Sequence, residues 1–170
     1  MALRTSLHDV AGLPDPLLSH AFDLFFPRIP GFNGGTRGLT VRCMSTSLPG
    51  MQLEQETAAL HGVEVSYAGR QIWTKTFPAT FIATRDAYTQ TAFRSWITFA
   101  RNNRGNAGNY KVNYAVDTVL TLYDDIPNVI DNQKIIGVFP TSLEDLSVDG
   151  GAGTILQFSV QLSFDWMEPI

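Results

Sequence analysis

In the stretch ILQFSVQLSFDWMEPI, residues 155–170, apolar and polar residues alternate without a break from Leu156 to Trp166. Leu156, Phe158, Val160, Leu162, Phe164 and Trp166 share one face, and Gln157, Ser159, Gln161, Ser163 and Asp165 share the other. A period of two is that of a strand with one buried face. The other face is unusual, because a solvated strand normally carries Lys or Glu as protection against pairing with a neighbour. Gln and Ser offer no such protection, so this face is expected to meet protein.

Composition extends that expectation to the whole chain. Its 170 residues suffice for one domain with a real core and are too few for two independent ones, so residues 1–170 read as a single domain with an N-terminal arm over residues 1–18. Hydrophobic residues make up 44% and charged residues only 16%, against roughly 25% charged in an average soluble domain, and a charge-poor surface suits protein contact. The net charge of −4 argues against a partner bound by neutralising phosphates. Cys43 is alone, which excludes an internal disulfide and a cysteine zinc cluster, and its default role is that of a small packed residue. The opening MALRTSLHDVAGLPDP is broken by charge, Gly and Pro before an apolar run forms, and no segment approaches the roughly 18 apolar residues of a membrane span. Synthesis in the cytoplasm, without membrane insertion, is the expectation.

Along the chain, HAFDLFFPRIPG predicts a strand near 21–28 with Phe22, Leu24 and Phe26 on one side. The Gly-rich GFNGGTRG reads as its turn, and Leu39, Val41 and Cys43 as the return strand of a first hairpin. LPGMQLEQETAALHG, residues 48–62, is less regular and reads as a long, functional connection. Val63, Val65 and Tyr67 begin another strand, with a turn expected at Ala68 and Gly69, and Pro78 implies a bend in the following one. RDAYTQTAFRSWITFARNNRGNAG is the convincing helix: Phe93, Trp96, Ile97 and Ala100 fall at i, i+3, i+4 and i+7, and Asp86 suits its N-terminal dipole. A long strand follows, with Tyr114, Val116, Thr118, Leu120 and Leu122 on one face, closed by a DDIPN turn. A further strand is expected to stop at Phe139 and Pro140. The sum is a mainly β (α+β) fold, a sandwich or barrel of about seven strands with one flanking helix.

Chemistry is poorly represented. His8, His20 and His61 stand in unrelated contexts without metal-ligand spacing, and Gly105 and Gly108 follow no strand that would make them a phosphate cradle. Asp124 with Asp125, and Glu144 with Asp145, have turn composition, and no nucleophile comes with a base and an orienter. The reading is a structural protein that is not an enzyme and takes no cofactor.

Four segments carry a resemblance: CMSTSLPG at 43–50, FRSWITFARN at 93–102, GVFPTSLEDLSVD at 137–149 and QFSVQLSFDWME at 157–168. In order and spacing they resemble the tail tube protein of contractile-tailed bacteriophages, over roughly residues 18–168. That resemblance implies a β-sandwich subunit forming hexameric rings that stack into a tube. One sheet of each subunit joins a continuous barrel around a lumen through which DNA passes at infection, and a contractile sheath surrounds it. It further implies residence in the virion and, as partners, the chain itself, tail sheath, baseplate and tail-terminator proteins, and a tape measure protein with transiting DNA in the lumen.

Site expectations follow from the resemblance. The inter-ring contact falls to Leu48, Pro49, Met51, Leu53, Glu54, Glu56 and Leu60, and the lumen face to Glu64, Asn113, Asp117 and Thr121. Copies of Asp117 around a ring would make the lumen negative, so that DNA slides instead of binding. Gln157, Ser159, Gln161 and Ser163 become a subunit or sheet-face contact, Phe93, Trp96 and Ile97 pack the core, and Arg94 and Arg101 face the sheath. Three alternatives stay open: the tube of a genome-free contractile injection system, a baseplate tube-initiating homologue, and a small β-barrel ligand-binding domain.

Overall fold

The computed structural model describes residues 20–102, 104–105, 107–124, 128–146 and 153–170. The N-terminal arm with His8, residues 125–127 of the DDIPN turn, and residues 147–152 lie outside the described residues.

Seven strands form the main sheet. In chain order they are β1 (Phe22–Phe25), β2 (Cys43–Thr46), β5 (Thr76–Ile82), β8 (Val116–Tyr123), β9 (Val129–Leu143), β10 (Gln157–Ser163) and β11 (Trp166–Pro169). Their order in the sheet is β1-β8-β9-β10-β5-β2, with β11 also on β9, and every pairing is antiparallel. β9 belongs to two halves: its first part pairs β8 and β11, and from Phe139 onward it pairs β10.

The quoted stretch crosses between those halves. Along β10, Phe158, Val160 and Leu162, followed by Phe164, are buried as the alternation predicts. At Asp165 the strand breaks, its amide donating to Ile136 O at 2.9 Å, and Trp166 resumes in β11 half-exposed. Opposite this break Gly137 has φ +72°, where a Cβ would strike the Asp165 carboxylate. Only glycine turns this corner without strain, and the corner lets one long hairpin serve both halves.

The principal helix, α2 (Tyr88–Ala100), covers the core with Thr89, Ala92, Phe93 and Trp96. The Phe93 ring lies 5.0 Å from Phe81 and 6.5 Å from Phe26, and Trp96 meets Phe26 edge-on at 5.9 Å. The buried indole N–H of Trp96 donates to Tyr114 O at 2.7 Å, which satisfies a polar atom that this packing would otherwise strand. Asp86 accepts from the Tyr88 amide at 3.2 Å, as expected of a carboxylate at a helix start. Ile97 is only partly buried, so the buried stripe runs through Thr89 and Ala92 instead.

Other expectations need correction. Residues 37–42 form helix α1 (Arg37–Arg42), which buries Leu39 and leaves Val41 exposed. No first hairpin results, because β1 pairs β8 and β2 pairs β5. The alternation of Leu39, Val41 and Cys43 was too short to separate strand from helix. Residues beyond Ala100 leave the helix for a small hairpin, β6 (Arg101–Asn102) with β7 (Ala107–Gly108), and Tyr114 ends the short helix α3 (Lys111–Tyr114) instead of entering β8. Pro78 and Pro140 lie inside strands. Pro78 sits where β2 has already ended, and Pro140 at the irregular register between Gln161 and Leu162, so neither missing N–H breaks a regular ladder.

Candidate assembly surface

The residues expected to form a connection build a hairpin. β3 (Met51–Leu60) pairs β4 (Val63–Trp73) from Met51↔Trp73 to Leu60↔Val63, and neither strand joins the main sheet. The turn is His61-Gly62, both with positive φ, at 51° and 82°. That is the two-residue mirror-image turn whose twist matches paired strands, and His is among the residues that tolerate it. The turn expected at Ala68 and Gly69 is absent: β4 runs through it, and the ladder absorbs the extra residue as an irregularity opposite Leu53 and Gln55. A Cβ on Gly69 would crowd the Glu54 carbonyl, which is why glycine stands there.

The hairpin carries its apolar residues outward. Met51, Leu53, Leu60, Val63 and Tyr67 are 61%, 62%, 57%, 64% and 54% exposed. Register places Ala58, Leu60, Val63, Val65 and Tyr67 on one face of the outer part, and Gln55, Thr57, Ala59, Glu64, Ser66 and Ala68 on the other. At the base the apolar side is reversed, with Met51, Leu53 and Trp73 together, and Trp73 lies 5.7 Å from Trp166 of β11. An isolated two-stranded ribbon is at best marginally stable in water, and this one keeps its apolar face in solvent.

Within the expected contact set, Met51, Leu53, Glu56 and Leu60 are exposed on the hairpin and Leu48 is exposed before it. Glu54 is partly covered and pairs with Arg70 at 3.7 Å. Pro49 is buried, so it packs inside the subunit and offers no contact surface.

The lumen set is scattered. Glu64 is exposed on the polar face of the hairpin, and Asp117 and Thr121 share the outward face of β8. Asn113 lies in α3, not on a strand face. Asp117 is not a free negative charge: it accepts from the Gly137 amide at 3.2 Å, and Lys134 Nζ lies 3.3 Å from it. Thr121 donates to Asn132 at 3.1 Å.

Gln157, Ser159, Gln161 and Ser163 line the face of β10 away from the core, beside Ile82, Thr80, Pro78 and Thr76 of β5. β10 is paired on both edges, by β5 and β9, so the absence of charge there has no bearing on edge protection. The open edges belong to β1, β2 and β11. Arg94 is exposed on α2, and Arg101 is exposed in β6 past the helix end.

One cluster fixes the helix start against β2. Arg42 donates to Thr84 Oγ1 and Gly38 O, pairs with Asp86 at 2.9 Å and lies over the Tyr88 ring. Hydrogen bonds from Thr84 and the Tyr88 amide, followed by the Arg42 charge, hold the Asp86 carboxyl below its usual range. Next to it, burial pushes the Cys43 thiol up to about 12. Val63, Val65 and Tyr67, read from the sequence as the start of a strand, stand exposed on the outer part of the hairpin. The His-Gly pair between two alternating runs was the available sign of a hairpin. Among the described residues no helix is long and apolar enough to cross a membrane.

The family model described as "phage tail tube protein" matches residues 29–167. No curated protein matches significantly. Among solved structures, a chain of the PVC extracellular contractile injection system sheath/tube terminator in the extended state is 16% identical, with a TM-score of 0.69, over 94% of this chain and 99% of that one. A chain of the anti-feeding prophage tube-terminating cap is likewise 16% identical at TM-score 0.69, over 100% and 99%. A chain of the PVC sheath-tube complex is 16% identical at TM-score 0.59, over 98% and 100%. At these identities the likeness is one of fold.

Proposed function

The chain belongs to the phage tail tube protein family, and from that membership we propose that it forms hexameric rings which stack into the inner tube of a contractile tail, the conduit for DNA ejection. The observation that carries this reading is the hairpin. Fully burying a large aliphatic or aromatic side chain is worth about 1.5–3 kcal/mol, so half-exposed Leu60, Val63, Val65 and Tyr67 leave several kcal/mol unrealised in a lone subunit. Contact between copies would realise it. The open edges of β1, β2 and β11 add unpaired backbone groups that a closed ring can satisfy.

In this reading the hairpin, through Met51, Leu53, Glu56 and Leu60 with Leu48 behind it, touches the next ring. Glu64, Asp117 and Thr121 line the lumen. The lumen's negative character rests more on Glu64 than on Asp117, which Lys134 offsets. The neutral face of Gln157, Ser159, Gln161 and Ser163 meets a neighbouring subunit, and exposed Arg94 and Arg101 lie towards the sheath. Baseplate, terminator and tape measure proteins complete the partners. Replacing Met51 and Leu53 together by Ser tests the reading: stacking should be lost with the melting transition of the subunit intact, whereas an unfolded subunit would assign these residues to its own core.

A genome-free contractile injection system is the second reading, supported by the fold likeness to PVC and anti-feeding prophage chains. Nuclease-protected DNA in purified particles favours the phage, and its absence favours the second reading.

A further inference from the structure

A hairpin that stands off the main sheet keeps one direction only if something aims it, and the attachment of residues 51–73 to the subunit is slight. Neither strand pairs with the main sheet. The side-chain hydrogen bonds and ion pair of the ribbon stay within it: Gln55 with Ser66, Gln71 with Met51, and Arg70 with Glu54. Among the described residues, a single ring contact crosses to the body. It sets Trp73 against Trp166, with centroids 5.7 Å apart and planes tilted by 57°.

The two chain connections leave the ribbon one freedom. On the β2 side Pro49 is buried, and Gly50 follows with open space where a Cβ would stand. On the β5 side Lys75 is fixed to the corner after β10. Its carbonyl accepts from the Phe164 amide at 3.1 Å and from Ser163 Oγ at 3.2 Å, and its Nζ donates to Asp165 O. Gly50 and Thr74 therefore lie between anchored residues and a ribbon bonded only to itself. Two such connections define an axis about which the ribbon can swing, and a third point of contact stops it. Trp166 supplies that point. It continues the sequence phase of buried Phe164, yet past the Asp165 break it is 49% exposed, paired with Ile136 at the start of β11. The corner thus turns a core-phase aromatic outward beside the hairpin base.

We propose that Trp166 is the positioning residue of the hairpin: its ring contact with Trp73 holds β3 and β4 at one angle to the main sheet within a lone subunit. The consequence for assembly rests on the tube reading, because a surface that is already aimed loses less freedom on contact. An aromatic pair is worth roughly a two- to twelvefold shift in an equilibrium, which sets the scale of the effect.

The first test is spectroscopic and uses the dilute chain. Two indoles this close couple, so wild type should show a far-ultraviolet exciton band in circular dichroism that Trp73→Phe and Trp166→Phe each abolish. Spectra unchanged in both variants would overturn the contact. The second test reads direction. Nitroxides on Val63→Cys in the hairpin and Val112→Cys on the body, at positions 64% and 77% exposed, report their separation by pulsed electron resonance. Buried Cys43, its thiol pushed up to about 12, stays unlabelled. With every variant shown to be folded by its urea transition, the distance distribution should be narrow with Trp166 and broad with Trp166→Ala. It should be narrow again with Trp166→Phe, which keeps a ring in place, and broad with Trp73→Ala, which leaves β11 untouched. Equal widths throughout, or a broad distribution already with Trp166, would overturn the positioning role. Trp166→Ala should also raise the protein concentration needed for assembly by roughly two- to twelvefold, and an unchanged concentration would overturn the consequence for assembly. If the widths respond as expected while the wild-type chain forms neither rings nor tubes, the tube reading fails and the positioning role stands.

Discussion

Gly137→Ala is expected to destabilise the subunit by about 2–3 kcal/mol, through two separable causes at the corner of β9. The left-handed backbone, at φ +72°, costs a non-glycine residue about 1–2 kcal/mol. The new Cβ also collides with the Asp165 carboxylate, which must swing away and abandon Lys111. Both members of that pair are about half exposed, so its loss is worth about 0–1 kcal/mol, and forced repacking of the corner supplies the rest. Asp165→Ala removes the obstacle, so it should cost less than about 1 kcal/mol alone and should reduce the penalty of Gly137→Ala when combined with it. The double variant is then less destabilised than the sum of the singles by about 1 kcal/mol. Equilibrium urea unfolding of all four proteins, at a concentration below assembly so that stability is that of the subunit, measures the cycle. A Gly137→Ala variant within 0.5 kcal/mol of wild type would refute the account of the corner. Strict additivity would refute the collision and leave the backbone cost alone.

Three further outcomes follow from buried and titrating groups. Thr118 Oγ1 is buried without a hydrogen-bond partner, so the near-isosteric Thr118→Val should leave urea stability unchanged or raise it by about 1 kcal/mol. Cys43, with its thiol up to about 12, should resist iodoacetamide at pH 8 in the native protein and react at once in urea; rapid native labelling would contradict its burial. The Asp86 carboxyl is held below its ordinary value of 3.8, so its contribution is present above that pH and is lost as pH falls through the lower folded-state value. Asp86→Asn should therefore flatten the acid limb of the stability profile below about pH 4, and an unchanged limb would show that its hydrogen bonds do not matter to folding.

Where the sequence was legible, one periodicity ruled a segment by itself. The buried series Phe158, Val160, Leu162 and Phe164 and the helix packing through Phe93 and Trp96 both belong to runs with enough apolar residues in phase to exclude another conformation. Residues 37–43 offered only three such positions, and tertiary context chose a helix that buries Leu39 alone. The hairpin was half legible. Its residues were singled out for contact, but two features hid its form: β3 mixes Gln and Glu with apolar residues, and the apolar side changes faces along it. Val63, Val65 and Tyr67 were legible as a strand, but alternation alone does not tell that their apolar face stays exposed in the subunit. The lumen residues were least legible. Facing direction depends on how subunits are arranged, and Asp117 gained a neutralising partner, Lys134, from a strand whose register no local pattern specifies.

Electron microscopy of the purified chain, with light scattering on the same sample over a range of concentrations, tests assembly most directly. The account predicts rings or hollow tubes, formed alone or on addition of a contractile-tail baseplate as template. A chain that stays monomeric at every concentration, with the template present, would contradict it.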